Sequence, residues 1–131
     1  MRIWHYKLIP FLPNSQLIAQ WRELNSIFKK QDKHILINYV YEYPNKDDLF
    51  SFATIVTLEM AERGIAIHSW DNYYTYFNEK NYKLTLHPFA RYHNDRYLKQ
   101  CFYNLQEKFD RGQRDFSLEQ YKKLYGAVFG E

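Results

Sequence analysis

Apolar residues recur at helical spacing in three separate segments, and few breaking residues interrupt them. In residues 15–30 the stripe consists of Leu17, Trp21, Leu24 and Phe28, at positions i, i+4, i+7 and i+11. Two further stripes fall in residues 47–63 and 95–109, and their members are Leu49, Phe52, Ala53, Val56 and Met60, then Leu98, Cys101, Phe102, Leu105 and Phe109. With only four Gly and four Pro in 131 residues, the breaks are few. The pattern predicts an all-α fold with three main helices.

Capping residues set the expected helix ends. We expect Asn14 or Ser15 to cap the first helix, with Pro13 just outside it. Gly64 is a good residue to follow the second helix, because glycine readily adopts the left-handed conformation. For the third helix the candidate caps are Asn94 and Asp95.

A last, short helix is expected after Ser117. Ser117 and Gln120 have the spacing of a capping box, and we expect this helix to end at Gly126. A chain of 131 residues suits one domain, so residues 1–131 are predicted to form a single domain.

The connections between the helices are long and aromatic. Residues 1–12 are apolar and end in a turn over residues 10–13. Residues 34–43 are rich in β-branched and aromatic types, which favours an extended loop or a short strand. Residues 65–91 are the least regular stretch, and we expect a packed loop that can include a short helical turn.

Composition limits the function classes without choosing one. The chain has 13 Tyr, 10 Phe and 3 Trp and a net charge of +3, which permits a nucleic-acid partner but does not require it. The single cysteine, Cys101, excludes an intramolecular disulfide, and its place in an apolar stripe indicates a core residue. No apolar run reaches the roughly 20 residues of a membrane span, and the first residues lack a signal-peptide layout. We therefore expect a cytoplasmic protein.

The common catalytic constellations are mostly absent from the sequence. The five histidines form no H-x-x-H or H-E-x-x-H pair, so no metal site is expected. The sequence has no Gly-rich phosphate loop and no G-x-S-x-G motif. The remaining candidate for chemistry lies at the start of the chain.

Three segments of the chain resemble the pyrimidine-dimer DNA glycosylase family, the phage endonuclease V type. They are Met1-Arg2-Ile3 with the helix segment Gln16-Leu17-Ile18-Ala19-Gln20-Trp21-Arg22-Glu23-Leu24, then residues 49–64 ending Glu59-Met60-Ala61-Glu62-Arg63-Gly64, and Tyr121-Lys122-Lys123-Leu124-Tyr125-Gly126. Bacterial members that open Met-Arg-Leu-Trp-His are closer still, with segments like residues 34–41 and 93–98. An Arg-Ile start followed by an Arg-Glu pair on the first helix is the most specific part of the resemblance.

The resemblance implies a mechanism for the chain. Family enzymes cleave the glycosidic bond of a damaged pyrimidine with the α-amino group of the first residue, and the resulting imine permits strand cleavage by β-elimination. By position, Met1 supplies the amine and Glu23 the essential carboxylate, while Arg2 and Arg22 hold phosphates or orient the glutamate. An α-amino group has a reference pKa of about 7.7–8.0, against about 10.4 for lysine, so terminal amines are useful nucleophiles near neutral pH.

Further contacts with DNA are expected from basic and aromatic side chains near the helix ends. The candidates are Lys29, Lys30, Lys33, His34, Tyr121, Lys122 and Tyr125. The expected partner is double-stranded DNA with damaged or abasic sites. We expect a monomer that uses no metal ion and no organic cofactor.

Three departures from the phage enzyme keep other functions open. The phage enzyme reacts through a threonine amine after removal of its initiator Met, whereas the resemblance places Met1 itself at that position, where the large Arg2 should block removal. Ser26 stands where the phage enzyme has a basic residue, and Gln16 where it has a histidine. A non-catalytic nucleic-acid-binding module with the same fold is one alternative, and a protein-interaction domain with exposed tyrosines is another.

Overall fold

The computed structural model describes residues 1–130, and every regular element in that range is a helix. The five α-helices are α1 (Asn14–Lys30), α2 (Asp47–Glu62), α3 (Asp71–Tyr76), α4 (Asp95–Asp110) and α5 (Leu118–Phe129). Two 3-10 helices, Tyr6–Phe11 and Asn38–Glu42, lie in the connections. The predicted all-α class is confirmed, as are the three main helices and the helical turn inside residues 65–91, which is α3.

One hydrophobic cluster runs through all the long helices. The predicted stripe of α1 is buried along its whole length, and Phe52 and Val56 of α2 are inaccessible to solvent. α1 packs against α2 and α3, and α4 packs against α5. The first 3-10 helix contacts both α2 and α5, which connects the two groups of helices. Cys101 is buried in the same cluster, as its place in the α4 stripe predicts.

The N-terminal segment is held between α1 and α4. Ile3 is fully buried, and its carbonyl oxygen accepts a hydrogen bond from the Tyr97 hydroxyl on α4. On the other side, the Trp4 N–H donates to Gln20 Oε1 of α1 at 2.8 Å. These contacts fix the first residues of the chain against the middle of α1.

The start of α1 differs from the prediction. The N-cap position is Pro13, and neither Asn14 nor Ser15 caps the helix with its side chain. Instead Asp115, 100 residues further along, accepts the Ser15 backbone N–H at 2.7 Å and the Ser15 hydroxyl at 3.0 Å. A carboxylate at a helix N-terminus satisfies free N–H groups and complements the helix dipole, so α1 is capped by a tertiary contact.

Residues 34–43 do not form the predicted strand or extended loop. They form a turn followed by the 3-10 helix Asn38–Glu42. Ile37 and Val40, three residues apart, are the buried members. The β-rich composition was misleading because no second strand exists in residues 1–130 to pair with this one, and tertiary packing selected a helical period instead.

The prediction of a turn at residues 10–13 is also wrong, because the chain forms a 3-10 helix from Tyr6 to Phe11. Arg63, just after α2, anchors this 3-10 helix. Its guanidinium donates to the carbonyl oxygens of Leu12 at 2.6 Å and Pro10 at 3.0 Å. The interaction satisfies carbonyls that a short helix leaves unpaired.

The remaining helix ends mostly follow the sequence signals. Asn94 caps α4 by accepting the Tyr97 N–H, and Ser117 and Gln120 form the predicted capping box of α5. Gly64 has the left-handed φ of 71° expected after α2. The predicted end of the last helix at Gly126 is wrong, because α5 continues to Phe129 and Gly130, with φ 79°, closes it.

Residues 1–130 contain neither a candidate membrane span nor a candidate metal site. None of the helices in this range has the length and apolar character that a membrane crossing requires. No three His, Cys, Asp or Glu side chains in the same range lie close enough together to hold a metal ion.

Candidate functional site

The middle of α1 carries a half-buried carboxylate next to the start of the chain. The Arg2 backbone N–H donates to Glu23 Oε2 over 3.3 Å, so the carboxylate lies one residue from the N-terminal amino group. Met1 itself is exposed. The structure therefore brings together the two residues that the sequence nominated for catalysis.

Gln20 fixes this arrangement from the preceding turn of α1. Its side chain is fully buried, and its Nε2 donates to the Arg2 carbonyl oxygen at 3.0 Å and to Glu23 Oε2 at 3.2 Å. With the Trp4 N–H donating to its Oε1, every hydrogen-bonding group of the amide has a partner. The amide thus locks the N-terminal segment and the carboxylate to the same helix.

The environment of Glu23 shifts the pKa of its carboxyl group upward. Burial raises the pKa of the carboxyl above its ordinary value and outweighs the effects that lower it. The opposing effects are the hydrogen bond from the Arg2 N–H and the positive charges of the Met1 amino group, Arg22 and Arg2. The Met1 amino group makes no direct ion pair with a carboxylate in the described part of the chain. The amine is thus close enough to act on Glu23 electrostatically without being bound to it.

Arg2 is held over two aromatic rings. Its guanidinium carbon lies 5.8 Å from the ring centroid of Trp4 and 5.8 Å from that of Tyr97. Guanidinium groups bind to ring faces at such distances, and stacking reduces the freedom of the side chain. A positive charge is therefore held in a defined position beside Glu23.

A small recess of about 140 Å³ opens at Glu23. Side chains of the N-terminal segment, α1 and α4 line it, namely Arg2, Trp4, Gln16, Ala19, Gln20, Glu23, Asn104 and Lys108. The lining is mainly polar and basic. A recess of this size takes part of a ligand rather than a whole drug-sized molecule.

A larger cavity, of about 540 Å³, lies at a different position along α1. It is a mainly apolar groove whose lining includes Trp21, Met60 and Ile67, with the exposed Arg22 among the polar members. Arg22 and Glu23 are neighbours in the sequence, but each lines a different cavity. Size alone would favour the groove, but only the smaller recess holds an acid of raised pKa beside the terminus.

Four of the predicted DNA-binding residues are exposed at the end of α1. Lys29 and Lys30 lie in its last turn, and Lys33 and His34 follow in the next loop. Lys30 is seven residues after Glu23, which places it on the same helix face about 10 Å further along the axis. One lysine therefore follows the recess on this face of α1, and the other basic residues lie at the same end of the helix.

The predicted residues of α5 are less suited to DNA contact. The Tyr121 ring stacks on Phe109 with centroids 4.5 Å apart, and its hydroxyl accepts a hydrogen bond from Gln106 at 2.7 Å. Tyr125 packs 4.7 Å from Phe129. Both tyrosines are half-buried against the core, whereas Lys122 is exposed. The three- and four-residue spacing of Tyr121, Leu124, Tyr125 and Val128 could have identified this face as core.

Sequence reasoning missed several residues of the recess. Gln20 lies three residues before Glu23, and this spacing puts the two side chains on one face of the helix, which is a usable signal. Asn104 and Lys108 share a face of α4 by the same rule, but their approach to α1 depends on tertiary packing.

Comparison with known proteins gives a family match for the N-terminal part of the chain. A family model described as pyrimidine dimer DNA glycosylase matches residues 1–72, which is more than half of the chain. No curated protein and no solved structure gives a significant match. The matched range contains Met1, Arg2, Gln20 and Glu23, together with the basic end of α1. The chain belongs to the pyrimidine dimer DNA glycosylase family.

Proposed function

We propose that the protein is a DNA-repair glycosylase with abasic-site lyase activity, in which the Met1 amine attacks the sugar of a damaged pyrimidine nucleotide. The main support is the position of Glu23, whose carboxylate accepts a hydrogen bond from the Arg2 N–H beside the N-terminus. Membership of the family supports a DNA substrate. The reaction needs only groups that the chain itself supplies.

The first step is nucleophilic. The lone pair of the unprotonated Met1 nitrogen forms a bond to C1′ of the deoxyribose, while the C1′–N glycosidic bond breaks and its electron pair leaves with the pyrimidine, which takes up a proton. The C1′–O4′ bond then opens, O4′ takes up a proton, and an imine remains between Met1 and C1′.

Glu23 serves as the acid and base of these steps. A carboxyl with a raised pKa can donate a proton to O4′ and, once ionised, accept one from C2′. Removal of the C2′ proton expels the 3′ phosphate by β-elimination, which breaks the strand. Water then hydrolyses the imine and restores the free amine.

The basic residues bind the DNA backbone. Arg2, stacked and held beside Glu23, suits a phosphate next to the lesion, and Arg22 suits one at the apolar groove. Lys29, Lys30, Lys33 and His34 extend this contact along α1, and Lys122 adds an exposed charge on α5. The partner is double-stranded DNA with damaged or abasic sites, and its affinity should fall steeply with salt.

Borohydride trapping on abasic duplex DNA tests the proposal. Borohydride reduces an imine to a stable amine, so the untagged protein should form a covalent adduct whose peptide map places the DNA on Met1. The variant Glu23→Gln keeps the shape but loses proton transfer, and we expect strand cleavage to slow by about 10²-fold or more.

The matched control is Glu62→Gln, which neutralises an exposed carboxylate on α2 and should cleave like the wild type. Protein acetylated at its N-terminus should form no adduct. DNA binding without any trapped adduct would instead favour a non-catalytic binding module, and an adduct that Glu23→Gln leaves unchanged would remove Glu23 from the mechanism.

A further inference from the structure

The turn after α1 exposes two apolar side chains at its tip. Ile35 is 86% exposed and Leu36 is 39% exposed, although both are branched aliphatic residues that usually pack inside a protein. We call residues 33–36 the Ile35 turn. An isolated exposed aliphatic residue needs no explanation, but two adjacent ones at the tip of a turn form a small apolar surface.

The Ile35 turn is rigidly built. The His34 carbonyl oxygen accepts the N–H groups of both Ile37 and Asn38 at 2.9 Å, and the His34 N–H donates to Asn38 Oδ1 at 2.9 Å. The Leu36 N–H donates to His34 Nδ1 at 3.2 Å. Directly behind the tip, Ile37 is fully buried in the core. The apolar tip is therefore held in place by the hydrogen bonds of His34 and by the burial of Ile37 in the core.

Positively charged residues precede the tip in the sequence. Lys29, Lys30 and Lys33 lie two to six residues before Ile35 and are exposed, and the one nearby carboxylate in sequence belongs to the half-buried Asp32. Apolar side chains flanked by lysines suit a partner with an apolar interior and an anionic edge. Stacked base pairs between two phosphate backbones have this composition.

The tip also lies at a useful distance from the candidate site. Lys30 is about 10 Å beyond Glu23 on the same face of α1, and the Ile35 turn begins three residues later. Base pairs rise by about 3.4 Å each, so the tip would meet the duplex a few steps from the nucleotide at Glu23.

We propose that Ile35 and Leu36 form a wedge that enters the duplex between base pairs and kinks it a few base pairs from the lesion. The inference rests on the proposed function for its DNA partner, but it assigns a separate task to a separate surface. Aliphatic wedges of this type unstack a base step and bend the duplex. Lys29, Lys30 and Lys33 hold the phosphates on either side.

A second exposed aliphatic pair, Leu84 and Leu86, lacks the cluster of lysines that precedes Ile35. It belongs to an extended segment that lies along the start of α2, where Asp47 accepts the Lys83 N–H at 3.2 Å. Asp47 and Asp48 accept backbone N–H groups on either side of this pair, at Lys83 and Phe89, and these two carboxylates offset the charge of the exposed Lys83 and disfavour an approach to phosphates. Leu86 is 84% exposed, almost the same as Ile35, which makes the pair a matched control.

Fluorescence of 2-aminopurine tests the wedge. The probe is a duplex that carries an uncleavable tetrahydrofuran abasic site and 2-aminopurine at successive nearby positions, because this base brightens when it is unstacked. Wild-type protein should raise the signal at a step a few base pairs from the lesion. The double variant Ile35→Ser, Leu36→Ser should lose most of that rise and bind the duplex about tenfold more weakly, because the apolar burial is lost.

The control variant Leu84→Ser, Leu86→Ser should match the wild type in both measurements. The salt dependence separates the wedge from the lysines, because Lys33→Ala should reduce the salt slope by about one phosphate contact while the serine variant should keep it. The loss of affinity should be smaller on single-stranded abasic DNA, which has no base-pair stack to open.

Several outcomes would overturn the wedge. The wedge is refuted if the serine variant gives the same fluorescence rise and the same duplex affinity as the wild type. It is also refuted if the wild type is a dimer that the serine substitutions dissociate without changing the fluorescence. The proposed enzymatic function is judged separately. A wild-type protein that unstacks the probe but cleaves no abasic DNA would refute the enzymatic function and leave the wedge standing. A wild-type protein that cleaves abasic DNA without unstacking the probe would refute the wedge and leave the enzymatic function standing.

Discussion

At the scale of single residues, Gln20 decides whether the start of the chain stays beside Glu23. Its buried amide joins three partners, the Trp4 N–H, the Arg2 carbonyl oxygen and Glu23 Oε2. A buried polar group costs free energy when its partner is removed, because it can no longer be solvated. The candidate site therefore depends on a residue that takes no part in the proposed chemistry.

We expect Gln20→Leu to lower the free energy of unfolding by about 1–3 kcal/mol, because the change leaves the Trp4 N–H and the Arg2 carbonyl without partners. Urea denaturation monitored by tryptophan fluorescence measures this. The matched control is Gln16→Leu, one turn earlier, where the half-buried amide donates to Gln113 and is closer to solvent. Equal losses in the two variants would show that the amide of Gln20 has no special structural role.

At the scale of elements, the contact between Asp115 and the start of α1 joins two distant parts of the chain. Burial raises the pKa of the Asp115 carboxyl, but hydrogen bonds from the Ser15 N–H, the Gln113 side chain and the Ser15 hydroxyl prevail and lower it. The ionised carboxylate is thus the form that caps the helix. The contact holds the loop before α5 against the helix that carries Glu23.

Asp115→Ala should destabilise the protein by about 1 kcal/mol, the usual cost of losing a helix cap. Asp115→Asn keeps an acceptor for the Ser15 N–H but loses the charge that complements the helix dipole, so its loss should be smaller. Thermal unfolding of the three proteins at neutral pH gives this order. If the asparagine variant is as unstable as the alanine variant, the charge matters more than the hydrogen bond.

The elements also show what the sequence could and could not predict. Each apolar stripe of α1, α2 and α4 lies within one continuous segment of the sequence, so its helical spacing can be recognised without the structure. The ends of these three helices were therefore predicted to within a few residues. The cap of α1 comes from Asp115, and the helical turn at residues 34–43 depends on burying Ile37 and Val40, so both needed the tertiary structure. The candidate site divides in the same way, since Glu23 followed from the family resemblance, whereas its approach to Arg2 and the participation of Asn104 and Lys108 required the folded chain.

At the scale of the whole molecule, a buried pair of histidines joins the N-terminal segment to the rest of the fold. His5 and His93 are both buried, with ring centroids 5.2 Å apart. His93 Nδ1 accepts the Tyr6 N–H at 3.2 Å, and its Nε2 lies 2.7 Å from the Tyr39 hydroxyl on the second 3-10 helix. His5 Nδ1 accepts the Lys7 N–H at 3.1 Å. Because both Nδ1 atoms accept backbone protons, the folded protein needs both rings neutral.

Because protonation of these rings disfavours the folded state, the free energy of unfolding should fall as the pH is lowered. Burial lowers the pKa of His5 to about 4 and that of His93 to about 3, and the neighbouring ring also lowers the latter. In the unfolded chain both titrate near about 6.5, so the unfolded state binds more protons below that pH. Stability should therefore fall from about pH 6.5 downwards until the folded rings titrate, by up to about 1.4 kcal/mol per pH unit for each ring.

The variant His93→Gln isolates one of the two rings. It should be less stable than the wild type at pH 7, because glutamine cannot reproduce both hydrogen bonds, but its unfolding free energy should fall less steeply between pH 6.5 and about pH 4. All acidic residues are common to the two proteins, so the difference in slope reports the missing histidine. The matched control is His68→Gln, which removes a histidine from an exposed position. Urea titrations at several pH values measure these slopes, and an unchanged slope in His93→Gln would mean that the ring takes up its proton without unfolding the protein.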